Sequence, residues 1–388
     1  MECVYYMMCV RREYCNIEKE TNMTKKKKIG LLNLQVDDNF GGHLQRYALI
    51  TALQRMGYEV EHLNTRFPSS RKSFLKYMKG GLKRLLLYPY YAIAKKKQFI
   101  PPRFFKYYIK HEPVTEEFYE KYIPHTARIF SNDELAQYDN YDCYVVGSDQ
   151  VWRKSIAANY GLFTYLFDYL PNDKIRIAYG ASFGTDKNEL TNEDFVKFRE
   201  LYSRFRMVSV REQSGLDLLK SYSCDNPTPE CVFDPTLLLT AQDYSNVINA
   251  GNTNPLKEKI FCYILDMNED KMACIRDIAK AKGLDYCLWS RDKHFTVEQW
   301  LRSFRDAEFV VTDSYHGLLF SLIFNKKFHL IRNYYRGNAR FDSIAISLGV
   351  ELDAEQQDYA KINKAIDRKK EESICFLETS VKCLDLEK

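Results

Sequence analysis

Few folds accommodate the stretch Phe309-Val-Val-Thr-Asp-Ser-Tyr-His-Gly-Leu-Leu-Phe-Ser-Leu-Ile-Phe324. Its apolar start, Phe309 to Val311, reads as a buried strand. Thr312-Asp313-Ser314 supplies helix-capping residue types, and Leu318, Leu319, Leu322 and Ile323 then recur at helical spacing. A buried strand that runs directly into a capped helix is a unit of parallel α/β structure. His316 falls in the first turn of that helix, at the carboxyl end of the strand. Open sheets bind ligands there, and free backbone N–H groups favour anions. A core helix with an incidental histidine explains the same residues, so the rest of the chain has to decide.

The alternation continues along the chain, which predicts an α/β protein with parallel sheets. Strands are expected at Ile29–Leu34, Glu59–Leu63, Asp142–Val146, Arg176–Tyr179 and Met207–Val210. A glycine turn, Asn39-Phe-Gly-Gly-His43, precedes an amphipathic helix from Leu44 to Met56. After Asp234-Pro-Thr236 a second series follows: strands at Lys259–Leu265, Leu284–Trp289, Phe309–Val311 and Lys327–Ile331. Helices are expected at Asp270–Lys282 and Val297–Arg305, from His316, and after Arg340. The reading is two Rossmann-like domains facing a cleft, residues 24–242 and 257–388, the second carrying C-terminal helices. An Asn-rich connector spans 243–256, and residues 1–23 form an unstructured extension ahead of Thr24-Lys-Lys-Lys-Lys28.

Composition excludes several classes. No run approaches the roughly 18 apolar residues of a membrane span. The eleven cysteines contain no C-x-x-C pair, which fits reduced thiols in the cytoplasm rather than a disulfide framework. There is no metal signature, no P-loop and no G-x-S-x-G elbow, so no metal or cofactor is expected.

One segment departs from the rest. Residues 66–111 hold thirteen Lys and Arg and no acid, interleaved with aromatics such as Phe74, Tyr77, Tyr90, Tyr91 and Phe104. The chain carries a formal +5, so everything outside this segment sums to −8. Basicity is therefore local, as suits an insertion lying on an anionic membrane surface or a solvated basic hairpin. No nucleic-acid reader motif accompanies it, and no nucleic acid is expected.

Several motifs, in this order and spacing, resemble the polysaccharide pyruvyl transferase family. They are Asn39-Phe-Gly-Gly-His-Leu-Gln-Arg-Tyr-Ala-Leu49, Val146-Gly-Ser-Asp-Gln-Val-Trp152, Val208-Ser-Val-Arg-Glu212, Phe233-Asp-Pro-Thr236, the Thr312–Gly317 turn and Asn338-Ala-Arg340. The resemblance implies a GT-B-like fold, with phosphoenolpyruvate as donor and two hydroxyls of a sugar, on a lipid-linked glycan precursor, as acceptor. His316 matches the histidine of the family's Arg-x-His-Gly motif and is the expected acid for the donor's methylene carbon. The family's arginine is replaced here by Ser314, which joins Tyr315 and Gly317 in the expected donor turn. Arg211 is the matched alternative for holding the anion, with Arg332, Arg336 and Arg340 as further candidates or as plain solvated residues. Asp149 is either the base for the attacking hydroxyl or a helix cap. Gly41 and Gly42 would let a ligand approach the backbone. Asn39, Gln45 and Gln150 are candidate hydrogen-bonders of the acceptor, and Trp152 a stacking platform or a core residue. A nucleotide-sugar glycosyltransferase would use the same two-domain cleft, and loss of the arginine would suit a non-catalytic scaffold on the membrane.

Overall fold

Short apolar strands need cover on both faces, and helices that follow most of the strands provide it. The computed structural model describes residues 26–66, 114–157, 161–249, 259–289, 295–332, 339–354, 356–382 and 384. The expected extension 1–23, nearly all of the basic segment, residues 250–256 of the connector and Arg336 lie outside them.

The first sheet contains β1 (Lys28–Leu32), β2 (Glu59–His62), β3 (Cys143–Val146), β4 (Ile175–Ala181), β5 (Met207–Val210) and β6 (Glu230–Cys231). All neighbours are parallel, in the order β2-β1-β3-β4-β5-β6. The second contains β7 (Lys259–Tyr263), β8 (Asp285–Leu288), β9 (Phe309–Thr312) and β10 (Lys327–Leu330), again parallel, in the order β10-β9-β7-β8. Counted from its other edge, the second sheet runs second, first, third, fourth strand, the same winding as the first. Strand order therefore reverses once in each sheet, between β1 and β3 and between β7 and β9. Crevices for ligands open at such reversals.

Twelve helices among the described residues connect and cover these strands: α1 (Phe40–Arg55), α2 (Glu116–Tyr122), α3 (Asn132–Leu135), α4 (Lys154–Ala157), α5 (Asn192–Tyr202), α6 (Gln213–Ser221), α7 (Ala241–Asn249), α8 (Glu269–Lys282), α9 (Val297–Asp306), α10 (Tyr315–Ile323), α11 (Ala339–Leu348) and α12 (Tyr359–Lys382). Local chemistry sets several of their starts. Thr191 with Asp194, and Thr296 with Gln299, form reciprocal capping boxes, while Asn268 and Ser314 accept from the third residue of α8 and α10.

Helix α1 begins four residues before the expected start, so the glycine turn is in fact its first turn. Each helical glycine costs about 1 kcal/mol against alanine. The offset comes from Phe40, which stacks on Trp300 (5.8 Å) and meets Trp289 edge-on (5.9 Å), carrying the helix end into the second domain's core. The expected connector also needs correction. Residues 243–249 lie in α7, where Tyr244, Val247 and Ile248 are buried and Asp243 pairs with Arg55 at 2.6 Å. Helix α12 returns from the second domain to the first. Ser373 Oγ accepts from the Phe233 N–H (2.9 Å), and Phe376 packs 6.2 Å from Tyr179. No helix among the described residues is long and apolar enough to cross a membrane.

Candidate active site

The loops that leave β1, β3, β7 and β9 meet around a cleft of about 290 Å³. Asp37, Asp38 and Asn39 come from the first reversal, with Asp149 and Gln150 beside them. Asp313, Ser314, Tyr315 and His316 face them from the second, and Trp289, Arg340 and Phe341 close the side. Both topological switch points thus open into one space.

Two helices point their N-termini into it. Ser314 caps α10, and its hydroxyl accepts from the Gly317 N–H at 3.4 Å. Asn39 gives α1 no side-chain cap, and no acidic residue occupies the first turn. The two ends touch. A Cβ on Gly41 would stand 2.1 Å from Nδ1 of His316 and 2.3 Å from its Cγ. The imidazole therefore lies directly against the backbone of α1, and only glycine leaves room for it. Gly41 seats the histidine; the expectation that it merely admits a ligand is too general. Gly42 has more space, its nearest neighbour being the Asn39 amide at 3.3 Å. Gly317 serves packing, since a Cβ there would meet Thr312 Oγ1 at 2.1 Å.

His316 is buried, and its Nε2 lies 3.6 Å from Asp234 Oδ2 without a hydrogen bond among the described residues. Asp234 is fully buried and accepts from Arg211 Nη1 (2.6 Å) and from the N–H and hydroxyl of Thr236. Burial alone would raise its pKa. The contacts with His316, Arg211 and Thr236 outweigh that and hold it well below the usual carboxylate range. The Phe-Asp-Pro-Thr motif marks Asp234 in the sequence but not its place beside His316. The motif shows a proline-started helical turn; it does not show what the carboxylate faces.

Arg211 lies behind the cleft wall rather than on it. Its guanidinium contacts Asp234, Asp149 (3.3 Å) and Glu212 (3.6 Å), and sits 4.7 Å from the centre of the Tyr315 ring. Burial opposes its charge, but Asp234, Tyr315, Asp149 and Glu212 together raise its pKa above the ordinary arginine value. Arg340 does line the cleft, with its guanidinium 5.2 Å from the centre of the Tyr315 ring. Burial, then the nearby Arg211 charge, lowers its pKa from the arginine norm. Arg332 pairs with Asp342 at 3.0 Å away from the cleft wall.

The remaining expected residues divide. Gln45 is buried and holds the Ser148 N–H (3.1 Å) and the Gly42 carbonyl, so its amide is committed to backbone and does not reach an acceptor. Trp152 is a core residue, fully buried among Phe183, Phe198, Tyr202 and Phe205, and does not serve as a stacking platform. Gln150 lines the cleft while accepting from Arg153 (2.9 Å), and Asn39 is exposed at the rim. Asp149 lines the cleft from a left-handed backbone position, φ 73°, with Oδ1 engaged by Arg211. Asp37 and Asp38 reach the cleft without a motif to mark them. Two successive acids in the loop after the first strand are the available signal. Among the described residues no group of His, Cys, Asp and Glu is arranged to hold a metal ion.

No curated protein matches the chain. Among solved structures, the chain is similar to a putative UDP-N-acetylglucosamine 2-epimerase from Listeria monocytogenes, at 12% identity over 92% of each chain and a TM-score of 0.46. It is also similar to the UDP-GlcNAc 2-epimerase from Methanocaldococcus jannaschii, at 10% identity over 88% of this chain and 92% of that one, TM-score 0.44. An alpha-glucosyltransferase in complex with UDP-glucose and DNA follows at 10% identity, 92% and 95% coverage, and TM-score 0.42. These are likenesses of outline, and no chemistry is carried over from them. The polysaccharide pyruvyl transferase family model, by contrast, matches residues 39–334, from the first turn of α1 past the end of β10. That span contains Gly41, Asp149, Arg211, Asp234 and His316 and covers about three quarters of the sequence, so the chain belongs to the polysaccharide pyruvyl transferase family.

Proposed function

We propose that the protein transfers the enolpyruvyl group of phosphoenolpyruvate onto two hydroxyls of a sugar, forming a cyclic pyruvate ketal on a lipid-linked surface-glycan precursor. The observation that carries this reading is the buried His316, set at the meeting of two helix N-termini and opposite an ionised Asp234.

The donor brings a phosphate and a carboxylate. The uncapped end of α1, the end of α10 and the Arg340 guanidinium converge on the cleft and supply N–H groups and charge for them. Each helix end contributes about 0.3–1 kcal/mol to an anion, more where partly buried. Ser314, which stands where the family has arginine, leaves Arg340 as the cation of this wall. Behind the wall, Asp149, Asp234 and Glu212 face Arg211, and a protonated His316 reduces the excess negative charge.

The imidazolium then gives its proton to the donor's methylene carbon while a sugar hydroxyl bonds to the adjacent carbon. Phosphate departs, and the second hydroxyl closes the ketal. Asp234 positions the imidazole, and Asn39, Gln150 and Asp149 offer acceptors and donors to the sugar. The basic, aromatic residues of 66–111 would hold the protein on the anionic leaflet that carries a lipid-linked acceptor. Calorimetric titration tests the donor. Phosphoenolpyruvate should bind and a panel of nucleotide sugars should not; the reverse result replaces this reading with glycosyl transfer. His316→Gln should retain phosphoenolpyruvate binding and lose about 10²–10⁴ in turnover. Near-normal turnover would remove the histidine from the chemistry.

A further inference from the structure

The cleft contains four aspartates, and two of them, Asp149 and Asp313, are paired with cations. Asp149 Oδ1 accepts from Arg211. Asp313 takes the Leu265 N–H (2.7 Å), the Asp266 N–H (3.3 Å) and Lys271 Nζ (2.6 Å). Asp38 accepts the Val114 N–H at 2.9 Å. Asp37, like Asp38, has no ion pair among the described residues, and its backbone is pinned as well. Its backbone carbonyl accepts from His43 Nε2 (2.9 Å) and Thr115 Oγ1 (2.7 Å), and its Oδ1 from the Asn39 N–H (3.0 Å). Among the described residues no hydrogen bond is made to Oδ2. One carboxylate oxygen is thus anchored beside the α1 end that seats His316, and the other is available to the cleft.

We propose that Asp37 is the proton acceptor for the first attacking hydroxyl and the proton donor to the departing phosphate. The proposal rests on the phosphoenolpyruvate reading and deepens it. In the first half, Asp37 takes the hydroxyl proton as that oxygen bonds to the donor's central carbon, while His316 protonates the methylene carbon. The result is a tetrahedral phosphate adduct, a protonated Asp37 and a neutral His316. In the second half, Asp37 returns its proton to the phosphate oxygen as the carbon–oxygen bond breaks. The second hydroxyl then closes the ring and its proton goes to His316. Two hydroxyl protons enter, one leaves on carbon and one on phosphate, and both side chains end as they began.

The electrostatics agree with this double use. Although Asp37 is open to the cleft, the protein around its carboxyl pushes its pKa up to about 6. The Asn39 N–H and the Arg46 charge oppose the rise, and Asp149 and Asp38 reinforce it. A carboxyl in that range is ionised at neutral pH and regains a proton at little cost. The sign for activity follows: the free enzyme needs ionised Asp37, so kcat/KM falls as pH drops through about 6.

The test uses Asp37→Asn, which keeps the shape and cannot take a proton, with Asp37→Ala as a second variant. Phosphate release from phosphoenolpyruvate is followed against a panel of nitrophenyl hexosides, and phosphoenolpyruvate affinity by calorimetry. Asp37→Asn should lose about 10²–10⁴ in turnover with donor affinity nearly unchanged, and its acid limb should vanish. Formate should partly restore Asp37→Ala. In ¹³C spectra of the wild type, a side-chain carboxyl titrating near pH 6 should be absent from the Asn variant. Turnover within about threefold of wild type, or an unmoved acid limb, overturns the assignment, and so does the lack of that titration. A wild type that ignores phosphoenolpyruvate but shows the titration instead sinks the donor reading.

Discussion

Replacing Gly41 with alanine places a methyl carbon 2.1 Å from Nδ1 of His316, where ordinary contact begins at 3.4 Å. One partner must therefore move by roughly 1.3 Å, the difference between those distances. The helix is the less movable one, because Phe40 is locked between Trp289 and Trp300 in a core shared by both domains. The imidazole gives way, sliding from its place opposite Asp234. A misplacement of about 1 Å costs on the order of 10²-fold in rate, so kcat should fall by about that factor. Stability should change much less. Overpacking costs about 1–3 kcal/mol, and the exchange of glycine for alanine in a helix returns up to about 1 kcal/mol. The assay is phosphate release at saturating donor, with urea unfolding alongside it. Gly42→Ala is the control, because its methyl would meet only the exposed Asn39 amide at 3.3 Å. If Gly41→Ala keeps kcat within about threefold of wild type, or loses no more than Gly42→Ala, the seat is not what positions the acid.

Arg211→Ala should destabilise the fold by about 3–5 kcal/mol in urea, because it leaves Asp149, Asp234 and Glu212 buried without their cation. A variant of wild-type stability that loses only phosphoenolpyruvate affinity would return Arg211 to the donor-binding role suggested by its motif. Neutralising Lys95, Lys96 and Lys97 together should weaken binding to anionic vesicles and flatten its salt dependence. A wild type that ignores such vesicles at low salt would remove the membrane from the reading.

The parts of this fold that were legible in the sequence are those governed by neighbours along the chain. Phe309–Thr312 and Tyr315–Ile323 form the strand and helix that their apolar run and capping residues indicate, with His316 in the first helical turn. The parts that were not legible depend on distant contacts. Gly41 and Gly42 look like a turn because glycine disfavours helix, and only the docking of Phe40 on two tryptophans makes the helical start worthwhile. Trp152 and Gln45 carry side chains suited to a sugar, yet one fills a core and the other holds the loop after β3. Arg211 follows a buried strand, which makes it look like a ligand; three buried carboxylates decide otherwise.

The charge arrangement bears on how the cleft can carry serine at 314, where the commonest form of the family motif has arginine. An arginine at 314 would stand at the N-terminus of α10, whose N–H groups already favour an anion. Ser314 instead caps that helix, and its residue lines the cleft together with Arg340 from α11. Arg340 and Arg211 both lie by the Tyr315 ring, at 5.2 and 4.7 Å from its centre, and of the two only Arg340 lines the cleft. The loss of solvent and then the like charge of Arg211 disfavour the charge on Arg340 and lower its pKa from the arginine norm. An incoming phosphate or carboxylate relieves that cost directly. In the proposed reading the cation of the donor wall is supplied from a helix later in the chain, and a bound anion would offset the cost of placing two arginines on one tyrosine.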